Sequence, residues 1–249
     1  MNSSFRPCAL IPSYQNGATL PKVVARVREY LEDIIVVDDG SDEESLAVVR
    51  ELEARGEVLA VYRERNGGKG VAVRSGFDAA KELGFSHAFQ IDADGQHDLA
   101  QIPTFLAEAQ ERPEALLLGY PRFGEEAPRS RRAARKITCF WVDLEAGRGV
   151  IEDAMVGFRV YPLEAALAAR ARGKRMDFDI EIAVRMAWRG VPIVNLPVGV
   201  RYLSADEGGV SHFRLVRDNL RISWLHTRLT TWALLRFLWR PFRRRRRGP

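Results

Sequence analysis

The stretch AFQIDADGQHD, at residues 88–98, decides how the rest of the chain is interpreted. A short and mostly apolar run ends at Ile91, and three carboxylates, an amide and an imidazole follow within seven positions. Short apolar runs that end at turn signals are typical of buried strands. Because one residue separates Asp92 from Asp94, an extended backbone would point both carboxylates to the same side. The stretch therefore predicts a strand that carries a group of oxygen ligands at its carboxyl end.

Similar apolar runs recur along the first half of the chain, and helical patterns separate them. The expected strands cover residues 8–11, 34–37, 58–62, 88–91 and 115–118, and the expected helices cover 20–31, 43–55, 70–83 and 99–111. This alternation predicts an α/β fold, a Rossmann-like and mostly parallel sheet flanked by helices. The carboxyl ends of parallel strands share one edge, and ligands bind in the crevice outside it. We expect the site at that edge.

The second half of the chain is less regular. Residues 121–135 are rich in Gly, Pro and Arg, and they predict a long mobile loop that closes over the site. We then expect a helix near 135–145, a short segment at 154–160, a helix near 178–189 and two short strands within 191–202. From residue 211 onward one long helix is predicted. The chain is accordingly divided into a main domain, residues 1–210, and a C-terminal helix with a basic tail, residues 211–249.

Composition limits the classes of protein to consider. With 249 residues, 46% of them hydrophobic, the chain is long enough for one large α/β domain. Arg240 and the run 243–247 hold six of the 38 basic residues, which leaves 32 against 33 acidic residues. The body is therefore nearly neutral. This distribution argues against nucleic acid as a partner, because nucleic-acid proteins spread basic residues over a binding face.

Two features predict a cytoplasmic location. Cys8 and Cys139 are too few and too far apart for a disulfide framework or a clustered zinc site, which indicates a reducing compartment. The sequence Phe5-Arg6-Pro7 interrupts any apolar run that a secretory signal would need, and no window holds eighteen apolar residues that would span a bilayer.

Asp92, Asp94 and Gln96 are the candidate metal ligands. Carboxylate and amide oxygens suit hard cations such as Mg²⁺ or Mn²⁺, which keep several waters and bridge to substrate phosphates. The alternative is a polar turn whose carboxylates bond the local backbone. A second acidic pair, Asp38-Asp39, ends another expected strand on the same edge, and this favours the ligand site.

Two further motifs follow expected strands. The carboxylate of Asp39 could accept hydrogen bonds from the amino or imino group of a nucleoside's base. Ser41 or Asp42 would cap the next helix, which leaves Asp39 free for this contact. The stretch NGGKG at residues 66–70 lacks the spacing of a P-loop and of a dinucleotide-binding fingerprint. It is either a glycine-rich helix entry or a loop that brings backbone amides and Lys69 to phosphates.

Four of these motifs, in this order, resemble the signature of family 2 inverting glycosyltransferases. They are IPSYQN at residues 11–16, VVDDGS at 36–41, NGGKG at 66–70 and DADGQH at 92–97. Within that family the sequence is most similar to the dolichyl-phosphate mannose synthase and polyprenyl-phosphate glycosyltransferase branch. The resemblance implies a GT-A fold with a C-terminal helical extension.

The resemblance also implies a reaction. The donor would be a UDP- or GDP-sugar, and Mg²⁺ or Mn²⁺ would neutralise the departing diphosphate while an acceptor attacks the anomeric carbon in line, with inversion. A lipid-linked acceptor such as a polyprenyl phosphate, or a glycan, is implied. The family often has Glu at the position of Asn16. The implied donor-binding residues are Pro12, Tyr14, Asn16, Asp39, Lys69, Asp92, Ala93 and Asp94.

Asp153 lies in IEDAMVGFRVYP at residues 151–162, which resembles the family's acidic residue followed by Gly-Phe-Arg. The resemblance makes Asp153 the general base for an acceptor hydroxyl. An ionised lipid phosphate needs no base, and Asp153 would then orient the donor sugar; a helix or turn cap is the third alternative. No Gln-x-x-Arg-Trp segment of processive synthases is present, so we expect one transfer per encounter. The residues implied for the acceptor or its phosphate are Arg122, Arg132, Arg159, Asp179 and Glu181, with Arg131 and Arg135 in the same basic region.

Asp179 and Glu181 have a second explanation, because acidic side chains near the start of a helix favour its dipole. The C-terminal helix also has two possible explanations. Arg217, Arg221 and Arg228 form one stripe and Trp residues cover much of the remainder, which predicts an interfacial helix on an anionic membrane, at the inner face of the cytoplasmic membrane. Alternatively the helix packs on the domain or on a second copy of the chain, as a homodimer, and the basic tail is disordered.

Two other functions remain as alternatives. A sugar-phosphate nucleotidyltransferase would need a glycine-rich Leu-x-x-Gly-x-Gly-x-x-x-Arg entry after the first strand, which residues 12–17 do not supply. A non-catalytic peripheral membrane adaptor would use the basic tail, but it leaves the ordered acidic motifs unexplained.

Overall fold

The computed structural model describes residues 5–123, 129–201 and 215–244, without the side chains of residues 123–134, 215–216 and 237–244. Strands and helices alternate as expected, and a 3-10 turn, Leu99–Gln101, precedes the fourth helix. The strands are β1 (Pro7–Ser13), β2 (Ile34–Asp38), β3 (Leu59–Tyr62), β4 (His87–Ile91), β5 (Leu116–Phe123), β6 (Phe158–Pro162) and β7 (Ile193–Val200). The helices are α1 (Leu20–Arg28), α2 (Glu43–Ala54), α3 (Lys69–Glu82), α4 (Ile102–Glu111), α5 (Arg129–Ala146), α6 (Leu163–Ala169), α7 (Asp177–Trp188) and α8 (Leu215–Arg244).

The strands form one sheet in the order β3-β2-β1-β4-β6-β5-β7. β1 pairs in parallel with β2 and β4, β2 with β3, and β5 with β7. β6 runs antiparallel to both β4 and β5. The predicted mostly parallel α/β sheet is confirmed, and β6 is an antiparallel insertion between two strands that the sequence pattern suggests as parallel.

Both faces of the sheet are buried, as in other sheets with helices on each side. Alternate residues of β1 show this: Cys8 and Leu10 face one core, and Ala9 and Ile11 face the other. Helices α3, α6, α7 and α8 contribute to the first core, whereas α1, α2 and α4 contribute to the second. The result is a three-layer arrangement that leaves the carboxyl edge of β1, β2 and β4 open for a site.

Two predictions for the second half are wrong. The expected mobile loop 121–135 is largely regular structure, because β5 pairs with β7 as far as Phe123 and α5 begins at Arg129; residues 124–128 lie outside the described residues. The two short strands expected within 191–202 are the single strand β7. Pro197 is compatible with one strand because β7 is at the edge of the sheet, where a missing amide donor is tolerated.

Helix α8 has a packed face and an exposed face. Ile222, Leu225 and Leu229 are buried in the core that α8 shares with α7. Trp224 is 64% exposed, and Leu220 is exposed beside it. Packing on the domain therefore accounts for one face of the helix. Across the described ranges, the structure contains no helix that combines the length and apolar character needed to cross a bilayer.

Candidate active site

A cavity of about 980 Å³ opens at the carboxyl edge of the sheet. It is lined by residues at the ends of β1, β2 and β4 and at the start of α3, and also by residues of α5 and α8. The eight positions predicted to bind a donor all line it, and so does Gln96. Sequence spacing and sheet topology therefore converge on one site. Those positions are Pro12, Tyr14, Asn16, Asp39, Lys69, Asp92, Ala93 and Asp94.

Hydrogen bonds fix the two loops that carry most of these positions. After β1, Asn16 Oδ1 accepts from the amide of Tyr14 at 3.2 Å, and Thr19 Oγ1 donates to the carbonyl of Ala93 at 2.7 Å. The second of these bonds ties the loop after β1 to the loop after β4. The Asp-x-Asp segment is thereby held from the side of its neighbouring strand.

Local bonds divide the acidic residues after β4 between two functions. The amide of Gln96 donates to Asp94 Oδ1 at 3.0 Å, and the carbonyl of Gln96 accepts from the amide of Arg201 at 2.9 Å. Asp98 Oδ1 accepts from the amide of Ala100 at 3.1 Å, where it caps the 3-10 turn. The third carboxylate is thus a cap, and the first two face the cavity.

Lys69 is ion-paired instead of projecting freely toward a phosphate site. Its Nζ lies 2.7 Å from Asp92 Oδ1 and 2.9 Å from Asp179 Oδ2, and its side chain is 12% exposed. Burial alone would lower the pKa of Lys69, but the carboxylates of Asp179 and Asp92 together raise it well above its usual range. Lys69 is therefore a fixed cation that links the cavity to the buried carboxylate beneath it.

The two carboxylates of the Asp-x-Asp segment differ in their electrostatic environment. Burial opposes ionisation of Asp92, yet Lys69 and then His97 lower its pKa below the usual value. Burial and the charge of Asp92 raise the pKa of Asp94. Asp92 has a cation of its own, whereas Asp94 lies beside a like charge that a further cation would offset.

The donor set fits a divalent ion that is bound in part by its substrate. Within the residues that the structure describes, no three His, Cys, Asp or Glu side chains converge to hold a metal. Mg²⁺ and Mn²⁺ bind through one or two carboxylates plus substrate phosphates and waters, not in closed protein cages. Asp92, Asp94 and Gln96 supply two carboxylates and an amide to one cavity, which matches that kind of site in chemistry.

Asp39 is left out of the helix cap, as expected, but its carboxylate is not free. Asp42, not Asp39, caps α2 through the amide of Ser45, as one alternative predicted. However, Asp39 accepts from Arg63 Nε at 2.8 Å and from the amides of Gly67 at 3.0 Å and Gly68 at 2.7 Å. The carboxylate that was expected to bind the base of a nucleoside therefore already holds the loop before α3.

These bonds also decide between the two interpretations of the NGGKG segment. The amides of Gly67 and Gly68 face Asp39, and the amide of Gly70 donates to the carbonyl of Lys174 at 3.0 Å. Gly68 has φ of +95°, and a side chain at Gly70 would collide with Phe178. The segment is a glycine-rich helix entry packed against the start of α7, and the expectation that its amides reach phosphates is not met.

Gly157 leaves room for the Asp-x-Asp segment, and apart from the Gly-Phe-Arg pattern the sequence does not indicate this role. It lines the cavity just before β6, and a Cβ at this position would collide with both carboxylate oxygens of Asp92. The antiparallel pairing of β4 with β6 brings the two residues together. A long-range contact of this kind cannot be read from either motif alone.

Asp153 is 4% exposed and is not among the described residues that line the cavity. Its Oδ1 accepts from the amides of Met155 at 2.7 Å and Val156 at 2.8 Å, and its Oδ2 accepts from Arg135. This is the turn cap that was the third alternative. Arg135, which Asp153 holds, lines the cavity in its place.

The residues implied for the acceptor are mostly elsewhere. Arg159 is fully buried in β6 and donates to the carbonyl of Asp179 at 2.6 Å, and Glu181 accepts from the amides of residues 172 and 173 and from Arg185. Arg159, Asp179 and Glu181 are all buried, and none of them is among the described residues that line the cavity. Arg122 is exposed on β5. The side chains of Arg131 and Arg132 lie outside the described residues.

The wall formed by α5 and α8 was not foreseen as part of the site. It contributes Thr138 and Trp141 from α5, and Ser223, His226 and Thr227 from α8. The sequence shows both helices as amphipathic but does not show that their polar stripes meet. We call this set, with Ile137 and Ile222, the helical wall.

Comparison with known proteins agrees with this geometry. The chain is 26% identical over 213 residues to the UDP-N-acetylglucosamine–dolichyl-phosphate N-acetylglucosaminyltransferase of Methanococcus voltae, covering 78% of this chain and 84% of that one. It is 29% identical over 204 residues to the polyprenol monophosphomannose synthase of Mycolicibacterium smegmatis, covering 78% and 76%.

Its fold is similar to that of glucosyl-3-phosphoglycerate synthase from Mycobacterium tuberculosis. The crystal structure of that enzyme with UDP has a TM-score of 0.68 at 16% identity, covering 92% of this chain and 81% of that chain. Its structure with Mn²⁺ and UDP-glucose has a TM-score of 0.63 at 17% identity, covering 83% and 75%. The likeness confirms the GT-A fold. The model of Glycosyl transferase family 2 matches residues 8–163, and this chain belongs to that family.

Proposed function

We propose that this glycosyltransferase moves a sugar from a UDP- or GDP-sugar to a polyprenyl phosphate, with Mg²⁺ or Mn²⁺ as cofactor. The observation that carries the proposal is the convergence of the eight donor positions on one cavity that also contains Asp92 and Asp94. Relatives named for transfer to dolichyl phosphate and for polyprenol monophosphomannose synthesis support the acceptor class. A structural neighbour crystallised with Mn²⁺ and UDP-glucose supports the donor class and the metal.

The sheet edge supplies the donor end of the site. Asp92, Asp94 and Gln96 would hold the cation, and a bound Mg²⁺ or Mn²⁺ neutralises charge on a departing diphosphate. Lys69 fixes Asp92 in place and offsets its charge, and Gly157 leaves room for that carboxylate. Tyr14 and Asn16, at the end of β1, line the part of the cavity where the nucleoside would bind.

The acceptor end needs no general base if the acceptor is a phosphate, because that phosphate is already ionised at neutral pH. Asp153 then serves to orient Arg135, a residue that lines the cavity and whose guanidinium is suited to phosphate oxygens. Arg122 and Arg132 remain candidates for the same phosphate. Arg159, Asp179 and Glu181 would not contact the acceptor; as buried residues they would hold Lys69 and the segment that leads into α7 in position.

We further propose that α5 and α8 rest on an anionic membrane surface. Apolar side chains on both helices are exposed, and Arg221 and Arg236 of α8 lie among them with exposed side chains. Aromatic residues with neighbouring arginines suit the headgroup region. Ile137 is 62% exposed and also lines the cavity, so this face is continuous with the acceptor end. The exposed apolar residues are Ile137, Phe140, Leu144, Leu220, Trp224, Trp232, Leu234 and Leu235.

The reaction is tested by incubating the chain with UDP- and GDP-sugars, MnCl₂ and farnesyl phosphate as a short polyprenyl phosphate. Mass spectrometry should detect one sugar per farnesyl phosphate with one of the donors. If no donor gives this product, but the chain hydrolyses a nucleotide sugar or transfers its sugar to a glycan, the proposal of a polyprenyl phosphate acceptor is wrong.

Liposome sedimentation tests the proposed membrane surface. The double variant Trp224→Ser, Trp232→Ser should bind anionic vesicles more weakly than the wild-type chain, and equal binding by the two proteins would contradict the proposal.

A further inference from the structure

The helical wall contains a buried histidine, and one of its ring nitrogens has no hydrogen-bond partner among the described residues. His226 of α8 is 4% exposed and lines the cavity. Its Nδ1 lies 2.8 Å from Oε1 of Glu145 on α5, a residue that does not line the cavity. Its Nε2 is buried and has no hydrogen-bond partner among the described residues. A buried ring nitrogen is ordinarily bonded, so a nitrogen without a partner, in a residue that lines a cavity, marks a candidate ligand position.

The ring is also held in a fixed orientation. Trp141 stacks on it, with ring centroids 6.1 Å apart and an interplanar angle of 23°. Thr230 Oγ1 donates to the same oxygen of Glu145 at 3.3 Å. Burial raises the pKa of Glu145, and the bonds from His226 and Thr230 oppose that rise. Two helices therefore contribute three side chains whose contacts position one imidazole at the cavity.

A second buried histidine shows what an ordinary structural role looks like in this chain. His87 is also 4% exposed, and both of its ring nitrogens are bonded: Nδ1 to Ser86 Oγ at 2.8 Å and Nε2 to the carbonyl of Pro113 at 2.8 Å. His87 does not line the cavity. The two residues thus have the same burial but differ in whether the second nitrogen is used.

We propose that His226 binds the phosphate of the acceptor through Nε2 and that Glu145 is its positioning residue. This inference rests on the proposed function and deepens it. With Nδ1–H donated to the Glu145 carboxylate, a protonated ring donates Nε2–H to an anionic oxygen, and Glu145 balances its charge.

The location favours the acceptor over the donor. His226 is on α8 and not among the sheet-edge residues that are expected to bind the donor, and Ser223 and Thr227 near it are neutral hydrogen-bonding groups. The acidic residue that lines the cavity from α8, Asp218, lies about two turns earlier and is ion-paired with Arg221. The same wall includes Trp141 and Ile222, whose apolar surfaces suit the first prenyl units. A charged phosphate followed by a hydrocarbon chain matches this combination.

Two substitutions at His226 separate the two ring nitrogens. In His226→Asn the amide overlays Nδ1 and keeps the bond to Glu145, but nothing replaces Nε2. In His226→Gln the amide nitrogen overlays Nε2. We expect His226→Asn to raise the KM for farnesyl phosphate roughly tenfold or more, as expected for a lost charged hydrogen bond, and to change the donor KM less than twofold. His226→Gln should restore part of the acceptor affinity, and Glu145→Gln should be milder than Glu145→Leu.

His87→Asn is the matched control, because it disturbs an equally buried histidine away from the cavity. It should lower the melting temperature and leave the acceptor KM unchanged. NMR gives a test without substitution, since the chain has four histidines. The imidazole signal of His226 should shift on addition of farnesyl phosphate and stay in place on addition of UDP or GDP.

The outcomes are distinguishable. An unchanged acceptor KM in a folded His226→Asn protein, or an unmoved His226 signal with acceptor in excess, would overturn the inference while leaving the proposed function intact. A rise in the donor KM alone would assign His226 to the donor and also overturn it. A wild-type chain that transfers to glycans but never to lipid phosphate would remove the proposed acceptor and this inference together.

Discussion

The two walls of the cavity hold their polar groups by different means. At the sheet edge, carboxylates are paired with cations: Asp92 with Lys69, and Asp39 with Arg63. On the helical wall, His226 is bonded to Glu145 behind it, and its neighbours on the wall are hydroxyl, aromatic and aliphatic side chains; Arg135 and Asp218 line the cavity from the same two helices. The sheet edge is therefore a prearranged charged site, as expected for a metal and a diphosphate. The helical wall combines polar and apolar groups, as expected for an acceptor with a hydrocarbon chain.

The largest expected effect comes from breaking the charge pairing at the sheet edge. Lys69→Met leaves the carboxylates of Asp92 and Asp179 without their shared cation, and an uncompensated buried charge costs about 3–5 kcal/mol. Urea unfolding should show that loss. Lys81→Met is the control, because Lys81 lies exposed in the same helix and should change stability by about 0.5 kcal/mol or less. Similar losses in both would contradict the pairing.

The next prediction separates the three carboxylates after β4. Asp94→Asn should lower kcat/KM by roughly 10²–10³, because the site then lacks a charge that offsets the departing diphosphate. Asp98→Asn should keep most of the activity, since Asp98 caps the 3-10 turn. Steady-state kinetics with saturating MnCl₂ measures both. Equal losses would mean that the loop acts through its shape and not through Asp94.

Gly157→Ala tests the support for Asp92. The added methyl group occupies the position of the Asp92 carboxylate, which must move. Displacements of about 1 Å in a catalytic group cost roughly a hundredfold in rate. A crystal structure and kinetics of the variant should show a shifted Asp92 with reduced kcat. Wild-type activity with an unmoved carboxylate would refute the proposed contact.

The smallest expected effect is that of replacing Asp153, and it shows whether this residue is the general base or only positions Arg135. In Asp153→Asn, Oδ1 can still accept from the two amides, and Arg135 loses only its charged partner. We expect a decrease in kcat of less than about tenfold, whereas loss of a general base would cost roughly 10²–10⁴. A fall of the larger size, confined to hydroxyl acceptors, would restore Asp153 as the base.

The difference between the walls also explains how much the sequence could predict. The sheet edge was readable because each element is local: an apolar run ends, and Asp92, Asp94 and Gln96 follow within five positions. What those residues contact was less readable, since Asp39 is held by amides 28 and 29 positions away. The insertion of β6 between β4 and β5 depends on pairing that no periodicity specifies.

The helical wall was not predictable, because its contacts join residues that are even further apart in the sequence. His226 and Glu145 are 81 positions apart and meet because α5 and α8 pack together. In sequence, one is a histidine on an amphipathic helix and the other is an acidic residue near the end of a helix. Asp153 illustrates the opposite error: its motif is clear, but the turn that follows occupies its carboxylate.

The central claim, that Asp92 and Asp94 hold a divalent cation against a nucleoside diphosphate, is tested most directly by thermal shift with UDP and GDP, each with and without MnCl₂. We expect one nucleotide to raise the melting temperature of the wild-type chain when Mn²⁺ is present, with an increase that is lost without the metal and in Asp94→Asn. No shift with either nucleotide at millimolar concentration, or an equal shift in Asp94→Asn, would contradict the account.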